Sequence, residues 1–309
     1  MAEVVCIGIA VADVLIKGCR MERYNDEIYL ADSVEINMGG DAFNEAVILS
    51  RLGHKTKLLC GLGRDMQGDA MTMRAQREGI DTSGIMYSSE DKTPIFVLMI
   101  DDSGERKCIS AGPSRAAFFY PDVSEIKGAR AVSLASLYRH PFTEPDVLLK
   151  VAAAAKAEGA YVCADIKTGD VRQKLSDLGE GLTYIDYLFP NEAEARFYSG
   201  ESEPEKMADY FLGLGIGHVI IKLGARGCFG KSDAESFYVP GYAVKAVDGT
   251  GAGDNFASGF IAALLEGKDF RGCCEFASAV AAVSVQYMGA TTGVTDRNKV
   301  EAFLETQNR

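Results

Sequence analysis

The sequence predicts a layered α/β fold in which a mostly parallel central sheet is covered by helices and accompanied by a small accessory β-sheet. Short β-branched runs alternate with amphipathic stretches over most of the chain, as they do in sheets built from βαβ units. Two other regions, residues 14–36 and 85–110, contain extended segments and no good helix. These regions indicate a separate sheet, which forms if they come together in the folded chain.

The individual elements follow from this alternation. Core strands are expected at residues 4–9, 56–59, 131–134, 161–164, 184–189 and 218–222. Helices are expected at residues 41–52, 66–78, 145–158, 191–199, 206–214, 251–265, 271–287 and 298–306. Glycines follow Leu52 and Glu158, where a helix end commonly needs a residue at positive φ. In the accessory sheet, the letters DDSG at 101–104 predict a hairpin between residues 95–100 and 106–109.

Length and composition define the class of protein. The chain has 309 residues, of which 47% are hydrophobic and 25% are charged, so a large core is expected and a disordered or fibrous protein is excluded. No Pro/Ser-rich linker, low-complexity tract or internal repeat divides the sequence. We therefore expect a single domain over residues 1–309, with segments of about 14–36 and 85–110 inserted within it.

The charge and residue counts exclude several kinds of partner and site. The net charge of −12 argues against nonspecific binding to nucleic acid or to anionic membranes. No apolar run approaches the roughly 20 residues of a membrane span, and the first residues lack a basic region and a cleavage site, so a cytoplasmic location is expected. The eight cysteines form no C-x-x-C pair and the three histidines no H-x-x-x-H pattern, which predicts reduced thiols and no structural zinc site.

The most informative run opens a C-terminal helix and reads DGTGAGDNF at residues 248–256. Its glycines let the backbone approach a ligand closely, and the helix start offers unpaired N–H groups and the positive end of the helix dipole. A carboxylate beside such an anion cradle has a use in phosphoryl transfer. The N–H groups of Gly251, Ala252 and Gly253 would stabilise the transferring group, while Asp254 would accept the proton of an attacking hydroxyl. The alternative is a glycine-rich turn with Asp254 in the favourable first turn of a helix.

A second glycine pair lies in the run NMGGDAFNEA at residues 37–46, directly before an apolar helix. Glycine, aspartate and asparagine at a helix start are placed to form hydrogen bonds with a polyol. Taken alone, the run is also an ordinary helix start with Asp41 as its cap.

These motifs, together with others in the same order along the chain, carry a resemblance. They are Gly8 to Asp13, Gly39-Gly40-x-x-x-Asn44 with Leu52-Gly53, Gly61-x-Gly63-x-Asp65-x-x-Gly68, Thr93-Pro94, Gly104-Glu105-Arg106, Pro190-Asn191-Glu192-Ala193-Glu194, Leu223-Gly224-x-x-Gly227 and Gly249-x-Gly251-Ala252-Gly253-Asp254. The sequence resembles the PfkB/ribokinase family of carbohydrate kinases over nearly its whole length. Each motif is weak alone, and the ordered set is highly specific.

The resemblance implies a ribokinase-like layered α/β/α fold with a small β-sheet lid, and phosphorylation of a hydroxymethyl group by ATP with Mg²⁺. Asp254 matches the family's catalytic base, and the backbone of Gly251–Gly253 matches its anion hole. The two inserted segments match the lid, which closes over the substrate and keeps water from the γ-phosphate. The positions expected to bind the acceptor are Asp13, Gly39, Gly40 and Asn44, with Asp41 in the same run.

The resemblance also implies residues for the nucleotide and for metal ions. Asn191 and Glu194 match an N-x-x-E element in which Glu194 helps to hold Mg²⁺ through water; the alternative is a helix start with acidic residues in its first turn. Lys222 ends a strand that resembles the nucleotide-binding strand, is a candidate partner of an ATP phosphate, and is followed by Gly224 and Gly227. Family members hold a monovalent cation, for which potassium is the candidate here. Its side-chain ligands are matched by Asp248 and Thr250.

A neutral sugar is favoured as the acceptor. Members that act on phosphorylated sugars often carry a lysine just after the Gly-Gly pair, whereas this chain has Asp41, whose charge would oppose a substrate phosphate. Ribose, fructose or a related sugar fits this interpretation.

Two other acceptors stay open. A nucleoside needs aromatic side chains beside its base, for which Phe43, Phe96 and Tyr24 are candidates. An acidic sugar such as 2-keto-3-deoxygluconate needs arginine, for which Arg115 and Arg139 are candidates. However, the run DIKTG at residues 165–169 departs from the Asp-x-Asn-x-Arg pattern common in members that act on fructose or ketodeoxygluconate.

Two expectations concern function class and assembly. A non-catalytic sugar- or nucleotide-binding protein of the same fold is the alternative from another class, and the presence of Asp254, Asn191 and Glu194 argues against it. An open sheet has edges and an apolar face that must be covered, so the lid segments predict a homodimer, which is common among the relatives.

Overall fold

The computed structural model describes residues 2–18, 30–100, 106–110, 116–169 and 173–307. Its strands are, in chain order, β1 (Val4–Ile7), β2 (Val11–Lys17), β3 (Ser33–Gly39), β4 (Thr56–Leu59), β5 (Gly61–Gly63), β6 (Met86–Ser88), β7 (Ile95–Ile100), β8 (Arg106–Ser110), β9 (Ala131–Leu137), β10 (Tyr161–Ile166), β11 (Tyr187–Leu188), β12 (His218–Lys222), β13 (Cys228–Ser232) and β14 (Ser236–Val239). Its helices are α1 (Asp41–Arg51), α2 (Met66–Arg77), α3 (Pro145–Ala157), α4 (Glu192–Ser199), α5 (Pro204–Leu212), α6 (Ala252–Leu265), α7 (Phe270–Ser284) and α8 (Arg297–Gln307).

The large sheet is mostly parallel, as the sequence predicts. Its eight strands lie in the order β14-β13-β12-β11-β10-β9-β1-β4, and the neighbours from β12 to β4 pair in parallel. Only β13 and β14, at one edge, pair antiparallel with their neighbours. Among the described residues, no helix is both long and apolar enough to cross a membrane.

Successive residues of the central strands enter two different cores, because side chains alternate between the faces of a sheet. On β1, Cys6 packs in the core beneath α1, α6 and α7, whereas Val5 and Ile7 pack in the core beneath α3 and α5. The same alternation continues on β9, where Ala131 faces the first core and Val132 the second. Burial on both faces explains the nearly continuous apolar runs of these strands.

The two regions without predicted helices meet in a second, smaller sheet. It has four strands in the order β3-β2-β7-β8, in which β2 pairs with β7 in parallel and the other pairs are antiparallel. The predicted hairpin between β7 and β8 is confirmed, and its turn at 101–104 lies outside the described residues. A two-stranded parallel pair, β5 with β6, lies apart from both sheets.

Several observed elements differ in extent from the predicted ones, and some were not predicted. The strand expected at 184–189 is reduced to β11, because residues Leu175–Tyr184 form 3₁₀ turns, interrupted at Gly179 where φ is +66°. Helix α5 begins at Pro204, earlier than expected, since proline is well suited to the first turn of a helix. The antiparallel strands β13 and β14 were not predicted, although the alternating run at 236–239 carries a weak strand signal.

The topology brings polar residues to one edge of the large sheet. Ser136 lies near the end of β9, Asp165 near the end of β10, and Lys222 ends β12. Parallel strands end at the same edge, and ligands in open α/β sheets bind at this carboxyl edge. The starts of α1 and α6 lie at the same edge, since Asn44 of α1 contacts Asp254 of α6 there.

We predict that the Phe260→Ala substitution lowers the free energy of unfolding by about 3–5 kcal/mol, because it leaves a cavity in a close-packed core. The Phe260 ring on α6 is fully buried, and its centroid lies 5.0 Å from that of Phe189. Urea denaturation measures the effect. Met66→Ala is the control, since this side chain on α2 is 80% exposed and its loss should change stability by at most about 0.5 kcal/mol. Equal effects of the two substitutions would contradict the core assignment.

Candidate active site

A cavity of about 630 Å³ lies at the carboxyl edge of the large sheet. Its wall includes residues from the small sheet, from the starts of α1 and α6, and from the ends of β10 and β12. The volume is within the range of small-molecule sites. The candidate residues on its wall are Asp13, Gly40, Asp41, Asn44, Asn191, Lys222, Gly224, Gly227, Thr250, Gly251, Ala252, Gly253 and Asp254, whereas Gly39, Glu194 and Asp248 lie behind it.

The start of α6 forms a cradle of backbone amides. Gly251 precedes the helix at φ +72°, and a Cβ there would lie only 2.5 Å from Cβ of Ala290, so only glycine fits. Among the described residues, the N–H groups of Gly251 and Gly253 donate to no protein acceptor, whereas Ala252 N–H makes a long bond of 3.3 Å to the Gly249 carbonyl. Free amides at a helix start attract an anion.

Asp254 lies in the first turn of α6 and is only 5% exposed. Its Oδ2 accepts a hydrogen bond of 2.7 Å from Nδ2 of Asn44. Burial and the nearby charge of Asp41 raise the pKa of Asp254 to about 7, while Lys167 and Asn44 act in the opposite direction. A carboxyl group with a pKa near neutrality can take a proton from a hydroxyl and release it afterwards.

The glycine pair before α1 lets this helix start close to β2. A Cβ at Gly39 would lie 2.4 Å from Oδ2 of Asp13, and a Cβ at Gly40, where φ is +96°, would lie 2.6 Å from the Ile9 carbonyl oxygen. Asp13 projects from β2 onto the cavity wall. Burial raises the pKa of Asp13 to about 6, with a further contribution from Asp41.

Asp41, the first residue of α1, is bound to the edge of the large sheet. Ser136 Oγ donates a short hydrogen bond to Asp41 Oδ2, and Lys167 Nζ lies 3.7 Å from the same oxygen. Sequence reasoning missed both partners. Their position in the sequence could have identified them, because each lies at or just beyond the carboxyl end of a central strand, where ligands of α/β proteins commonly bind.

Asn191 and Glu194 form a capping box at the start of α4. Asn191 Oδ1 accepts from the Glu194 N–H at 2.9 Å, and Glu194 Oε2 accepts from the Asn191 N–H at 2.8 Å. Burial and the charge of Asp165 raise the pKa of Glu194, while Lys222 and Lys167 lower it. These residues therefore form a helix start, and Asn191 also lies on the cavity wall. Their role towards Mg²⁺ and the phosphates stays a prediction.

Lys222 is held beside the amide cradle by Asp165, which sequence reasoning missed. Its Nζ donates to Asp165 Oδ2 at 2.7 Å, and a Cβ at Gly253 would lie 3.1 Å from this Nζ. Gly227, with φ +93°, packs so closely on the next strand that a Cβ would lie 2.0 Å from the Val239 carbonyl oxygen. This close packing brings backbone and apolar side chains, including Tyr242, to the cavity wall.

Asp248 organises the turn before the cradle. Its Oδ1 accepts from the N–H and the hydroxyl of Thr250, at 2.9 and 2.7 Å, and its Oδ2 accepts from the Gly289 N–H at 2.9 Å. Asn255 supports the same turn by donating to the carbonyls of Gly251 and Ala290. In the described part of the chain, no three His, Cys, Asp or Glu side chains are grouped to hold a metal ion.

A buried carboxyl group that sequence reasoning missed lies behind the site. Glu45 of α1 is fully buried, and Ser133 Oγ donates a short hydrogen bond to its Oε2. Its Oε1 has no partner among the described residues. Burial raises the pKa of Glu45 well above its ordinary value, reinforced by the charges of Asp254, Asp165 and Asp41.

The residues considered for binding a nucleoside or an acidic sugar lie in different parts of the structure. Phe96 lies on the cavity wall, whereas Phe43 is fully buried in the core and cannot stack on a ligand. Arg139 is not on the wall. Tyr24 and Arg115 lie outside the described residues.

Comparisons with known proteins agree on the family. The family model described as pfkB family carbohydrate kinase matches residues 1–297. Ribokinase from Haemophilus influenzae is 32% identical over 286 residues, which cover 90% of this chain and 91% of that protein. The 2-dehydro-3-deoxygluconokinase from Bacillus subtilis is 28% identical over 295 residues, which cover 87% of each chain. The structure of Arabidopsis thaliana ribokinase complexed with ribose and ATP gives a TM-score of 0.84 at 26% identity, over 98% of this chain and 99% of that one.

The family match includes both motifs that line the cavity, the glycine pair before α1 and the cradle before α6. The resemblance seen in the ordered motifs and the predicted layered α/β fold are therefore both confirmed. This chain belongs to the pfkB family of carbohydrate kinases, which are phosphotransferases that act on sugar hydroxyl groups.

Proposed function

We propose that this protein is an ATP- and Mg²⁺-dependent kinase that phosphorylates a hydroxymethyl group of a small neutral sugar, of the ribose, fructose or related class. One observation carries the proposal. Asp254 is buried on the cavity wall beside unpaired backbone amides, so a proton acceptor and an anion cradle lie together. The ribose and ATP named for the Arabidopsis relative support the two substrates.

The reaction follows from these groups. The acceptor hydroxyl transfers its proton to Asp254 as its oxygen forms a bond to the γ-phosphorus, and the bond from that phosphorus to the bridging oxygen of ADP breaks. The amides of Gly251, Ala252 and Gly253 and the positive end of the α6 dipole stabilise the charge on the transferring group. The Asn44 amide orients the Asp254 carboxylate through its hydrogen bond.

The charge of the wall favours a neutral acceptor. Three carboxyl groups, those of Asp13, Asp41 and Asp254, face the cavity near the starts of α1 and α6. The described wall has two lysines, of which Lys167 lies beside Asp41 and Lys222 is bound to Asp165. An anionic acceptor would be repelled, while sugar hydroxyls can donate to these carboxylates. Asp13, Gly39, Gly40, Asp41 and Asn44 are the acceptor residues of this proposal.

The other end of the cavity suits a nucleotide. We assign the phosphates to Asn191 and Lys222, and the nucleoside to the wall containing Gly224 and Gly227. Apolar residues on the same wall, Tyr242, Val244, Ala281, Ala282 and Val285, fit a base. Glu194, behind Asn191, supplies the negative charge that would hold Mg²⁺ through water, and the ion would neutralise phosphate charge.

A monovalent cation, with potassium as the candidate, stays a prediction. Asp248 and Thr250 are the proposed side-chain ligands, and the Asp248 carboxylate is only 8% exposed beside the amide cradle. A cation there would offset a carboxylate that lies close to the phosphate site.

A nucleoside is the second candidate acceptor, and Phe96 favours it. This ring projects from β7 onto the cavity wall near Asp13, its partner in register on β2, and can stack on a base. The acidic-sugar alternative has less support, because no arginine lies on the wall among the described residues.

We propose that the small sheet is a lid inserted in a single domain over residues 1–309, and that its outer face joins two copies of the chain. Asp13 and Phe96 face the cavity, so their neighbours Val14 and Val97 face away from it. A row of apolar residues crosses all four strands on this outer face: Ile36, Val14, Val97 and Ile109. Ile36 and Ile109 are 72% and 55% exposed, and such apolar surface is covered in stable assemblies.

A substrate panel tests the proposed reaction. We expect ADP release with D-ribose or D-fructose to exceed that with 2-keto-3-deoxygluconate, inosine, cytidine or pyridoxal, because the acceptor end lacks an arginine and carries several carboxylates. A coupled assay of ADP measures this. Chelation of Mg²⁺ and replacement of K⁺ by choline in the same assay test the two metal assignments. Preference for inosine or cytidine would replace the sugar by a nucleoside, and inactivity with every compound would overturn the proposal.

The Asp254→Asn substitution should lower the activity of the protein but raise its stability at about pH 8. We expect kcat to fall by about 100-fold to 10,000-fold, because the proton acceptor is lost. The pKa of Asp254 is about 7 in the folded protein and about 3.9 in an unfolded chain, so between these values the folded state holds more protons and its stability decreases as pH rises. An asparagine side chain does not titrate and still accepts the Asn44 hydrogen bond. The variant should therefore melt at a higher temperature than the wild type at about pH 8, and the difference should shrink towards about pH 4. A variant that is less stable at both pH values, or one that keeps its activity, would refute this role.

The dimer is tested by sedimentation velocity at micromolar concentration. We expect the wild type to sediment as a dimer, and Ile36→Lys to give a monomer because it places a charge in the apolar row. Met66→Lys is the matched control, since Met66 is 80% exposed and belongs to α2 rather than to the small sheet. A monomeric wild type, or a dimer that survives Ile36→Lys, would rule out this interface.

A further inference from the structure

Lys167 is a cavity-lining cation that the reaction above does not use. It lies just beyond the end of β10, and its Nζ is 3.7 Å from Asp41 Oδ2, which is too far for a hydrogen bond. Among the described residues, none accepts a hydrogen bond from this ammonium group. Lys222 differs, because its Nζ is bound to Asp165 at 2.7 Å. Lys167 therefore keeps its N–H donors for a ligand.

Asp41 supplies a hydrogen-bond acceptor beside these donors. Its Oδ2 takes the hydrogen bond from Ser136, while its Oδ1 accepts from none of the described residues. Asp41 also lies on the wall one helical turn before Asn44, whose amide contacts Asp254. A donor and an acceptor thus stand side by side at the end of the cavity where the acceptor sugar is proposed to bind.

We propose that Lys167 is a specificity-determining residue for the acceptor and that, together with Asp41, it binds a sugar hydroxyl other than the one that is phosphorylated. A hydroxyl both accepts and donates, so it can accept from the Lys167 ammonium and donate to the Asp41 carboxylate. An acceptor without this hydroxyl leaves an N–H of Lys167 and the Oδ1 atom of Asp41 without a hydrogen-bond partner, which penalises its binding. The inference rests on the proposed sugar kinase function and narrows its acceptor to sugars with this hydroxyl.

The same pair influences the proton acceptor. Asp41 raises the pKa of Asp254 and Lys167 lowers it. Asp165 of β10 acts in the same direction as Asp41. Glu45 of α1 is also close, since the charge of Asp254 raises the pKa of Glu45, and Lys222 of β12 is bound to Asp165. Removal of the Lys167 charge should therefore move the acidic limb of the pH–rate profile to higher pH, a change that a merely structural lysine would not cause.

The test compares D-ribose and D-fructose with their monodeoxy analogues, for the wild type and for Lys167→Met. We expect one analogue to lower the wild-type kcat/KM by about 10- to 100-fold, the range for a hydrogen bond to a charged group. Lys167→Met should lower kcat/KM for the parent sugar by a similar factor and abolish the discrimination at that hydroxyl, with KM for ATP unchanged. Lys167→Gln keeps a neutral donor, so it should retain part of the discrimination, and it replaces Lys167→Met if that variant fails to fold.

Lys156→Met is the matched control and should behave as the wild type. Lys156 also pairs with an aspartate, with its Nζ 2.8 Å from Asp186, but this pair lies near the opposite end of β10. An equal loss for the parent sugar and every analogue, or a rise in KM for ATP alone, would overturn the role of Lys167 while leaving the kinase function intact. Failure of the proposed function is distinct, because the wild type would then release no ADP with either parent sugar, and the hydroxyl assignment would fall with it.

Discussion

The hydrogen bond from Asn44 to Asp254 is the contact on which the arrangement of the cavity depends. It joins the starts of α1 and α6, two helices that are 210 residues apart at these positions. Each start is preceded by a glycine at positive φ, which allows close approach to the neighbouring backbone or side chain. The amide cradle and the proposed acceptor residues are therefore held together, and Asp254, the proposed proton acceptor, lies between them.

The cavity contains more carboxylates than lysines, and this excess affects both the pKa values of its residues and the ligands that it can bind. The carboxyl groups of Asp13, Asp41, Asp165 and Asp254 lie close enough to influence one another, and Lys167 and Lys222 offset only part of their charge. Burial and the nearby negative charge together raise the pKa values of Asp13 and Asp254 towards neutrality. In the proposed function, the anionic phosphates bind where the backbone amides and Lys222 face the cavity. The same excess of negative charge supports the proposal that the acceptor is an uncharged molecule with hydroxyl groups.

The small sheet has one face towards the cavity and one face away from it, because successive side chains of a strand point to opposite sides. Asp13 and Phe96 point to the cavity, and the apolar row from Ile36 to Ile109 points away from it. If this outer row joins two copies of the chain, the position of the lid over one cavity is coupled to the packing of its partner. The small sheet is thus both part of the cavity wall and the proposed interface between two copies.

The sequence by itself determined the features that depend on near neighbours along the chain. Four of these features are local patterns that the sequence shows directly: the alternation of strands and helices, the glycines after α1 and α3, the helix start at Asn191 and Glu194, and the glycine-rich cradle before Asp254. The ordered motifs extended this to the family and to most of the polar residues on the cavity wall. Only the tertiary structure decided that Phe43 belongs to the core, that Lys222 is paired with Asp165, and that Lys167 stands beside Asp41. These contacts join residues on different strands and helices. They depend on strand order and register, which local periodicity does not encode.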